Sequence, residues 1–177
     1  MVQKLDQWFY RSNRVLTKMV EIVCMMSVGA IAIITILAFI SRYILQQPLV
    51  GTDELALFLL MWITFLGASL SIRRNDMVAL SLFKDKLNSK NNLILQMILQ
   101  SIIFCFSILG FWVGWLWLTS SSIWEAASAS LEFPLWIPSA IFPFTMLIMA
   151  IFTLENILNH MKRLKKINNE GEEGEVL

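Results

Sequence analysis

Histidine and cysteine are scarce in this chain, with His160 the single histidine and Cys24 and Cys105 the two cysteines. One histidine cannot supply the two axial ligands of a buried b-type haem, which weighs against a cytochrome anchor. No CxxC pair occurs, so quinone-linked disulfide chemistry is excluded. Cys24 sits near the inner end of the first apolar run and Cys105 about midway along the third. Their depths differ by roughly 13 Å at helical rise, too far for a disulfide, and both read as small apolar core residues. Metal-ligand clusters, nucleotide-binding loops and nucleophile motifs are absent too. Charge is only 15% of the composition, and none falls in Ile22–Ser41, Leu55–Ile72, Asn91–Trp124 or Phe133–Leu154. No ionisable residue therefore stands at the centre of any apolar run, where an autonomous proton-coupled transporter needs one. The paired, Gly/Pro-interrupted halves that build a midplane solute site are also missing. These absences point to a membrane scaffold or subunit, neither an enzyme nor a self-sufficient pump.

The chain is instead rich in long apolar runs. Hydrophobic residues make up 57% of its 177, far from the even mix of a soluble domain. Each run reaches the ~20 residues that, at about 1.5 Å rise, cross about 30 Å of hydrocarbon. Val, Ile and Leu follow one another without the alternation of a membrane β-strand. The predicted fold is an all-α integral membrane protein with amphipathic surface helices at the cytoplasmic face. A single four-helix transmembrane domain covers residues 19–160, with spans at about 19–44, 53–73, 92–119 and 135–158. Residues 161–177 are first basic and then acidic, and they are expected to form a disordered cytoplasmic tail.

The cations orient the chain. Lys4, Arg11, Arg14 and Lys18 precede the first span, and Arg73, Arg74, Lys84, Lys86 and Lys90 lie in the second connection. Lys162, Arg163, Lys165 and Lys166 follow the fourth span, so thirteen of the fourteen cations share one side and only Arg42 lies on the other. The positive-inside rule then places both termini in the cytoplasm. Trp112, Trp115, Trp117, Trp124 and Trp136 form an aromatic belt at the opposite interface. The N-terminal segment is expected to be a retained anchor, because the run after it is too long for a leader and "FISRYILQQ" offers no small-residue cleavage site.

On a helical wheel Val2, Leu5, Trp8, Phe9, Val15, Leu16 and Met19 share one face, flanked by Lys4, Arg11, Arg14 and Lys18. This predicts a helix over residues 1–18 lying in the inner headgroup layer, the alternative being a plain extension of the first span. The stretch "VGTDELALF" opens the second span, with Thr52 as cap and Asp53 and Glu54 in the first turn. Arg42 is one short loop away, through Pro48 and Gly51, and is expected to pair with one of these carboxylates. "DMVALSLFKDKLNSK" places Leu80, Phe83 and Leu87 together and reads as a second inner-surface helix. Gly110 and Gly114 form a GxxxG pair that lets another helix approach closely. Pro138 and Pro143 predict a kinked outer half of the fourth span, and Glu155 near its inner end is placed to meet the basic surface.

The stretch "SRYILQQPLVGTDELALFLLMWITFLGASLSIRRND" resembles the small, DctQ-like membrane subunit of tripartite ATP-independent periplasmic (TRAP) transporters. In that family an Arg closes the first span and a Pro-containing loop leads to an acidic pair, an aromatic, a "FLGA"-like segment and a basic turn. Here these are Arg42, Pro48, Asp53 with Glu54, Trp62, Phe65 to Ala68 including Gly67, and Arg73 with Arg74. "LEFPLWIPSAIFPF" is similar to the Pro-aromatic opening of the family's fourth span, with Pro134, Trp136 and Pro143. Met77 and Ser81 depart from the pattern, standing where many members have a His and then an acid.

The resemblance implies partners: a large multi-span M-type subunit that carries the solute and sodium sites, and a periplasmic solute-binding protein. It also implies a bacterial inner-membrane location, and an organic anion such as a sialic acid or a dicarboxylate as solute. No cofactor is expected in this chain, sodium belonging to the partner, and no nucleic acid; membrane lipid is the remaining partner. The rival reading is a stand-alone four-span scaffold or assembly protein, which would not co-purify with a large multi-span protein.

Overall fold

A computed structural model describes the backbone at residues 2–47, 49–74 and 89–175, and side chains at 13–47, 49–74 and 92–164. Pro48, the segment expected to form the second surface helix, and the side chains of residues 1–12 lie outside the described residues. The elements are α1 (Val2–Tyr43), α2 (Thr52–Arg74), α3 (Ser89–Leu118), the short α4 (Ser121–Trp124) and α5 (Trp136–Ser139), and α6 (Ile141–Glu175). Four stretches are long and apolar enough to cross a membrane: Asn13–Tyr43, Thr52–Arg74, Asn92–Leu118 and Trp136–Leu164. Among the described residues there is no strand, only an isolated bridge between Ala127 and Pro134. The protein is all-α.

Two boundaries differ from expectation. Residues 1–18 are not a separate element, because α1 runs unbroken from Val2 to Tyr43. Neither Gly nor Pro occurs between Val2 and Val28, so nothing in the backbone interrupts the helix. The side of α1 that turns to the bundle near this end is partly polar. Asn13 and Val20 are buried, whereas Val15 and Met19 are more than half exposed. At the other terminus α6 continues to Glu175 in place of a disordered tail. Once a packed span has nucleated a helix, each further residue gains one hydrogen bond for one residue fixed, without the cost of a new nucleus.

The helix path of the fourth span is interrupted once, at Ala140 between α5 and α6. Pro143 has no N–H to offer the Ser139 carbonyl, so the α-helical ladder lapses there. On either side it is regular, with Ala140 N–H donating to Trp136 O at 3.0 Å and Phe144 N–H to Ala140 O at 3.3 Å.

The spans form a row, in the order α1, α2, α6, α3. Half of the most apolar stretch of the fourth span is buried, against 6% for the first and 11% for the third, so α6 is the centre and α1 and α3 the flanks. Leu66 and Phe152 are fully enclosed between α2 and α6, and Phe65 meets the Phe142 ring edge-on at 5.4 Å. Contact between α3 and α6 depends on absent side chains. A Cβ on Gly110 would lie 2.9 Å from the Met146 sulfur, and one on Gly114 2.7 Å from the Phe142 ring. Around Gly67 on α2 there is nothing within 4 Å.

Gly114→Val is therefore expected to lower the melting temperature of the detergent-solubilised chain, by an overpacking cost of about 1–3 kcal/mol. Gly67→Val should leave it unchanged. Thermal scanning of the two variants by tryptophan fluorescence checks this, and equal losses would refute the contrast between a packed Gly114 and an open Gly67.

Candidate functional site: polar ties at both ends of the bundle

At the end away from the termini, the loop between α1 and α2 is built around Ser41. Its hydroxyl donates to Gln47 O at 2.5 Å and accepts from Leu49 N–H at 3.0 Å. Gln46 and Gly51 take positive φ, 54° and 86°, to close the turn. A side chain at Gly51 would strike Leu131 as well as strain the backbone, so glycine is needed there twice over. Thr52 is the first residue of α2 and not its cap: Gly51 O accepts the Leu55 N–H at 3.0 Å, and the Thr52 hydroxyl donates back to Leu49 O at 3.1 Å.

The two carboxylates that follow have different partners. Arg42 Nη2 lies 3.1 Å from Asp53 Oδ2, joining the ends of α1 and α2. Glu54 turns to the long loop instead, where its Oε2 accepts the Ser130 N–H at 3.2 Å. That loop is a narrow hairpin, with Ser128 N–H donating to Phe133 O at 2.8 Å and Leu135 N–H to Ala126 O at 3.1 Å. Pro134 is in its bridge, and Trp136 stacks on Trp124 at 4.9 Å between centroids. Trp62 donates its indole N–H to Pro138 O at 3.3 Å, tying α2 to α5. Pro143 packs beside Gly114.

A denser polar cluster occupies the basic end, across α1, α2 and α6. Arg73 Nη1 lies 2.9 Å from Glu155 Oε1, with side chains only 16% and 4% exposed. Asn13 of α1 donates its amide to the other carboxylate oxygen, Oε2. Arg73 also donates from Nε to Thr17 Oγ1 at 3.4 Å, and its guanidinium sits 5.7 Å from the centre of the Phe152 ring. Asn156, next to Glu155, donates to Ile72 O at 2.8 Å. That carbonyl belongs to the last turn of α2, where no intrahelical donor remains. Arg74 pairs with Glu21 of α1 at 2.8 Å, and buried His160 lies one turn beyond Asn156.

Of the sequence-predicted residues, the structure brings Arg42 to Asp53, Arg73 to Glu155, and Gly110 and Gly114 to α6, while Gly67 faces open space. Sequence reasoning missed Asn13, Thr17 and Asn156. Their signal was a polar i, i+4 pair on α1 and an amide beside the acid that ends an apolar run. The groups satisfy one another, and among the described residues no three His, Cys, Asp or Glu converge on a metal position. The chemistry of this arrangement is helix joining.

The two ends should respond differently to mutation. Asp53→Ala removes a pair that is 54% and 79% exposed and should cost less than about 1 kcal/mol. Glu155→Met takes the carboxylate away from a nearly buried Arg73 and should cost about 3–5 kcal/mol, with much of it recovered in Arg73→Met/Glu155→Met. Denaturation midpoints across this cycle, in one detergent, give the measurement. Equal effects at the two ends would refute the assignment of the basic end as the main tie.

A family model described as tripartite ATP-independent periplasmic transporters, DctQ component, matches residues 31–163, which takes in the outer part of the first span and the second and third spans whole, together with Arg42, Asp53, Arg73 and Glu155, but not Asn13, Thr17 or Glu21. A Haemophilus influenzae protein named as a candidate TRAP transporter small permease is 29% identical over 101 residues. The match covers 55% of this chain and 63% of that relative, so under two thirds of the relative's length is spanned. With the family model covering well over half of the sequence, the chain belongs to the DctQ component family of tripartite ATP-independent periplasmic transporters.

Proposed function

We propose that this chain is the small permease subunit that braces a large M-type transport subunit during sodium-driven, binding-protein-dependent uptake of an organic anion. The solute class is a sialic acid or, failing that, a dicarboxylate. The observation that carries the reading is where the charges go. The described ion pairs join this chain's own helices at their ends: Arg42–Asp53, Arg73–Glu155 and Arg74–Glu21. The membrane-depth surfaces of α1 and α3 present large apolar side chains, among them Ile33, Ile36, Ile102 and Phe106. Such a body fixes itself in the bilayer and offers a wide apolar flank to a neighbour, and it keeps no charge at mid-depth for a solute or ion.

In this reading the protein lies in the bacterial inner membrane with both termini in the cytoplasm. The solute and sodium sites belong to the large subunit, and a periplasmic solute-binding protein delivers the anion to the face formed by the Glu54-anchored loop. Affinity purification from native membranes should recover a much larger multi-span partner. The chain alone in liposomes should accumulate no sialic acid or dicarboxylate down a sodium gradient. Uptake by the isolated chain, or purification without any multi-span partner, would overturn the assignment. Topology has its own readout. In a Cys24/Cys105-free background, a cysteine at position 47 should react with an impermeant maleimide from the periplasmic side, and reaction only from the cytosol would invert the orientation.

A further inference from the structure

A groove lies between α1 and α2 in the half of the bundle that ends at Arg42. It has a volume of about 340 Å³ and is walled by Ile31, Thr35 and Ala38 of α1 and by Ala56, Leu57 and Leu60 of α2, with Asp53 at its mouth. Leu57 and Leu60 are 64% and 51% exposed, so the groove is open toward the bilayer. The hydroxyls on its wall are satisfied within the chain, Thr35 donating to Ile31 O at 2.7 Å and Thr52 to Leu49 O at 3.1 Å. What remains along its length is apolar surface. Ile31 and Arg42 are eleven residues apart, about 16 Å at helical rise, which is about half of the ~30 Å hydrocarbon core. The groove is therefore one leaflet deep.

The charges at the mouth decide what fits it. Arg42 is one turn beyond Ala38 on the same stripe of α1, and Asp53 is one turn before Ala56 and Leu57 on α2. A cation and an anion thus stand side by side above an apolar trough. They meet through one guanidinium nitrogen, Nη2, and one carboxylate oxygen, Oδ2, at 3.1 Å, with side chains still 54% and 79% exposed. A guanidinium has five N–H donors and a carboxylate two oxygens, so this single contact leaves both groups able to bind a ligand. The sequence adds Glu54, Glu125 and Glu132 at this end, where Arg42 is the lone cation. That excess of acid disfavours a headgroup with negative charge alone and favours one that brings its own cation. A phospholipid with a phosphate and a primary ammonium answers both groups, the ammonium donating to Asp53 and Arg42 donating to the phosphate. A partner helix would have to bring an acid and a base to the same depth to do as much.

We propose that the α1–α2 groove is a binding site for one phosphatidylethanolamine, in the leaflet that meets the Arg42 end. An acyl chain lies along the trough from Ala38 and Ala56 down to Ile31 and Leu60, and the headgroup is held between Arg42 and Asp53. In the orientation proposed above this is the periplasmic leaflet, but the binding itself needs neither that orientation nor the large subunit. Failure of this site and failure of the transporter assignment are thus distinguishable.

The test is native mass spectrometry of the full chain, released from detergent with equal amounts of phosphatidylethanolamine and phosphatidylglycerol of identical acyl chains. The first retained lipid should be phosphatidylethanolamine by about fivefold, the factor expected from one charge near a lipid surface. Asp53→Asn should abolish that preference, and Arg42→Gln should lower retention of both lipids, since both carry the phosphate. Glu132→Gln should leave both as in the unaltered chain. Leu57→Trp, which fills the trough, should lower retention of phosphatidylethanolamine. Far-UV circular dichroism should be the same for all of these variants, because the exposed Arg42–Asp53 pair adds little to stability. In native membranes a photoreactive residue at position 38 should crosslink to phosphatidylethanolamine. Equal retention of the two lipids, or a preference that survives Asp53→Asn, overturns the proposal. So does loss of the preference in Glu132→Gln, which would trace it to the general field of this end, or crosslinking from position 38 to a protein in place of lipid.

Discussion

A carboxylate that is 4% exposed inside a membrane-length helix is costly to desolvate unless both oxygens are occupied. Glu155 meets that condition with groups from two other helices, Arg73 of α2 on one oxygen and Asn13 of α1 on the other. The constraint is mutual. The acid offsets the cost of holding Arg73 at 16% exposure, and Arg73 also donates from Nε to Thr17 and lays its guanidinium by the Phe152 ring. Because α1 touches α6 only slightly and otherwise reaches it through α2, this three-way contact is the direct polar tie between the N-terminal helix and the fourth span. The remaining packing, Leu66 and Phe152 enclosed between α2 and α6, follows from the helices being held together there.

The opposite end is joined by weaker and more numerous contacts. Arg42–Asp53 is exposed, Glu54 accepts a backbone N–H, and Trp62 reaches a backbone carbonyl. These are the interactions of a surface that headgroups and water can reach, and each is of modest strength on its own. What they secure is the loop from Ser120 to Leu135, which is pinned at Glu54, threaded as a narrow hairpin and closed by the Trp124–Trp136 stack. One end is thus tied through buried charge and the other through a fastened loop, and α6, with α3 seated on its glycine-lined side, connects the two.

The four spans were legible because hydrophobic length alone decides them, and the acidic pair after Arg42 was legible because opposite charges at one membrane interface have few other partners. On α1 the wheel said which face is apolar but not what the other face does. Val15 and Met19 look outward, and the polar Asn13–Thr17 stripe turns to the bundle. Thr52 is not the cap for a local reason, since the helix begins one residue earlier than the sequence suggested and Gly51 takes the cap position. Neither Asn13 nor Asn156 could be paired from the sequence, because their partners lie 142 and 84 residues away and depend on the order of helices in the row.

The row order bears on the proposed bracing role. A square four-helix bundle hides most of its lateral surface, whereas α1, α2, α6 and α3 side by side leave the two flanking helices nearly bare, with 6% and 11% of their apolar stretches buried. In lipid this exposure carries no hydrophobic penalty, since acyl chains and partner helices are equally apolar. Width then comes at no cost in solvation, and the difficulty is stiffness, because a row has fewer neighbours per helix than a bundle. The polar ties answer that difficulty at the two interfaces, where charge is cheapest to place, and the glycine contacts answer it at mid-depth, where charge is most expensive. A flat, internally satisfied plate is what a subunit needs if it is to stay fixed while a neighbour moves against it.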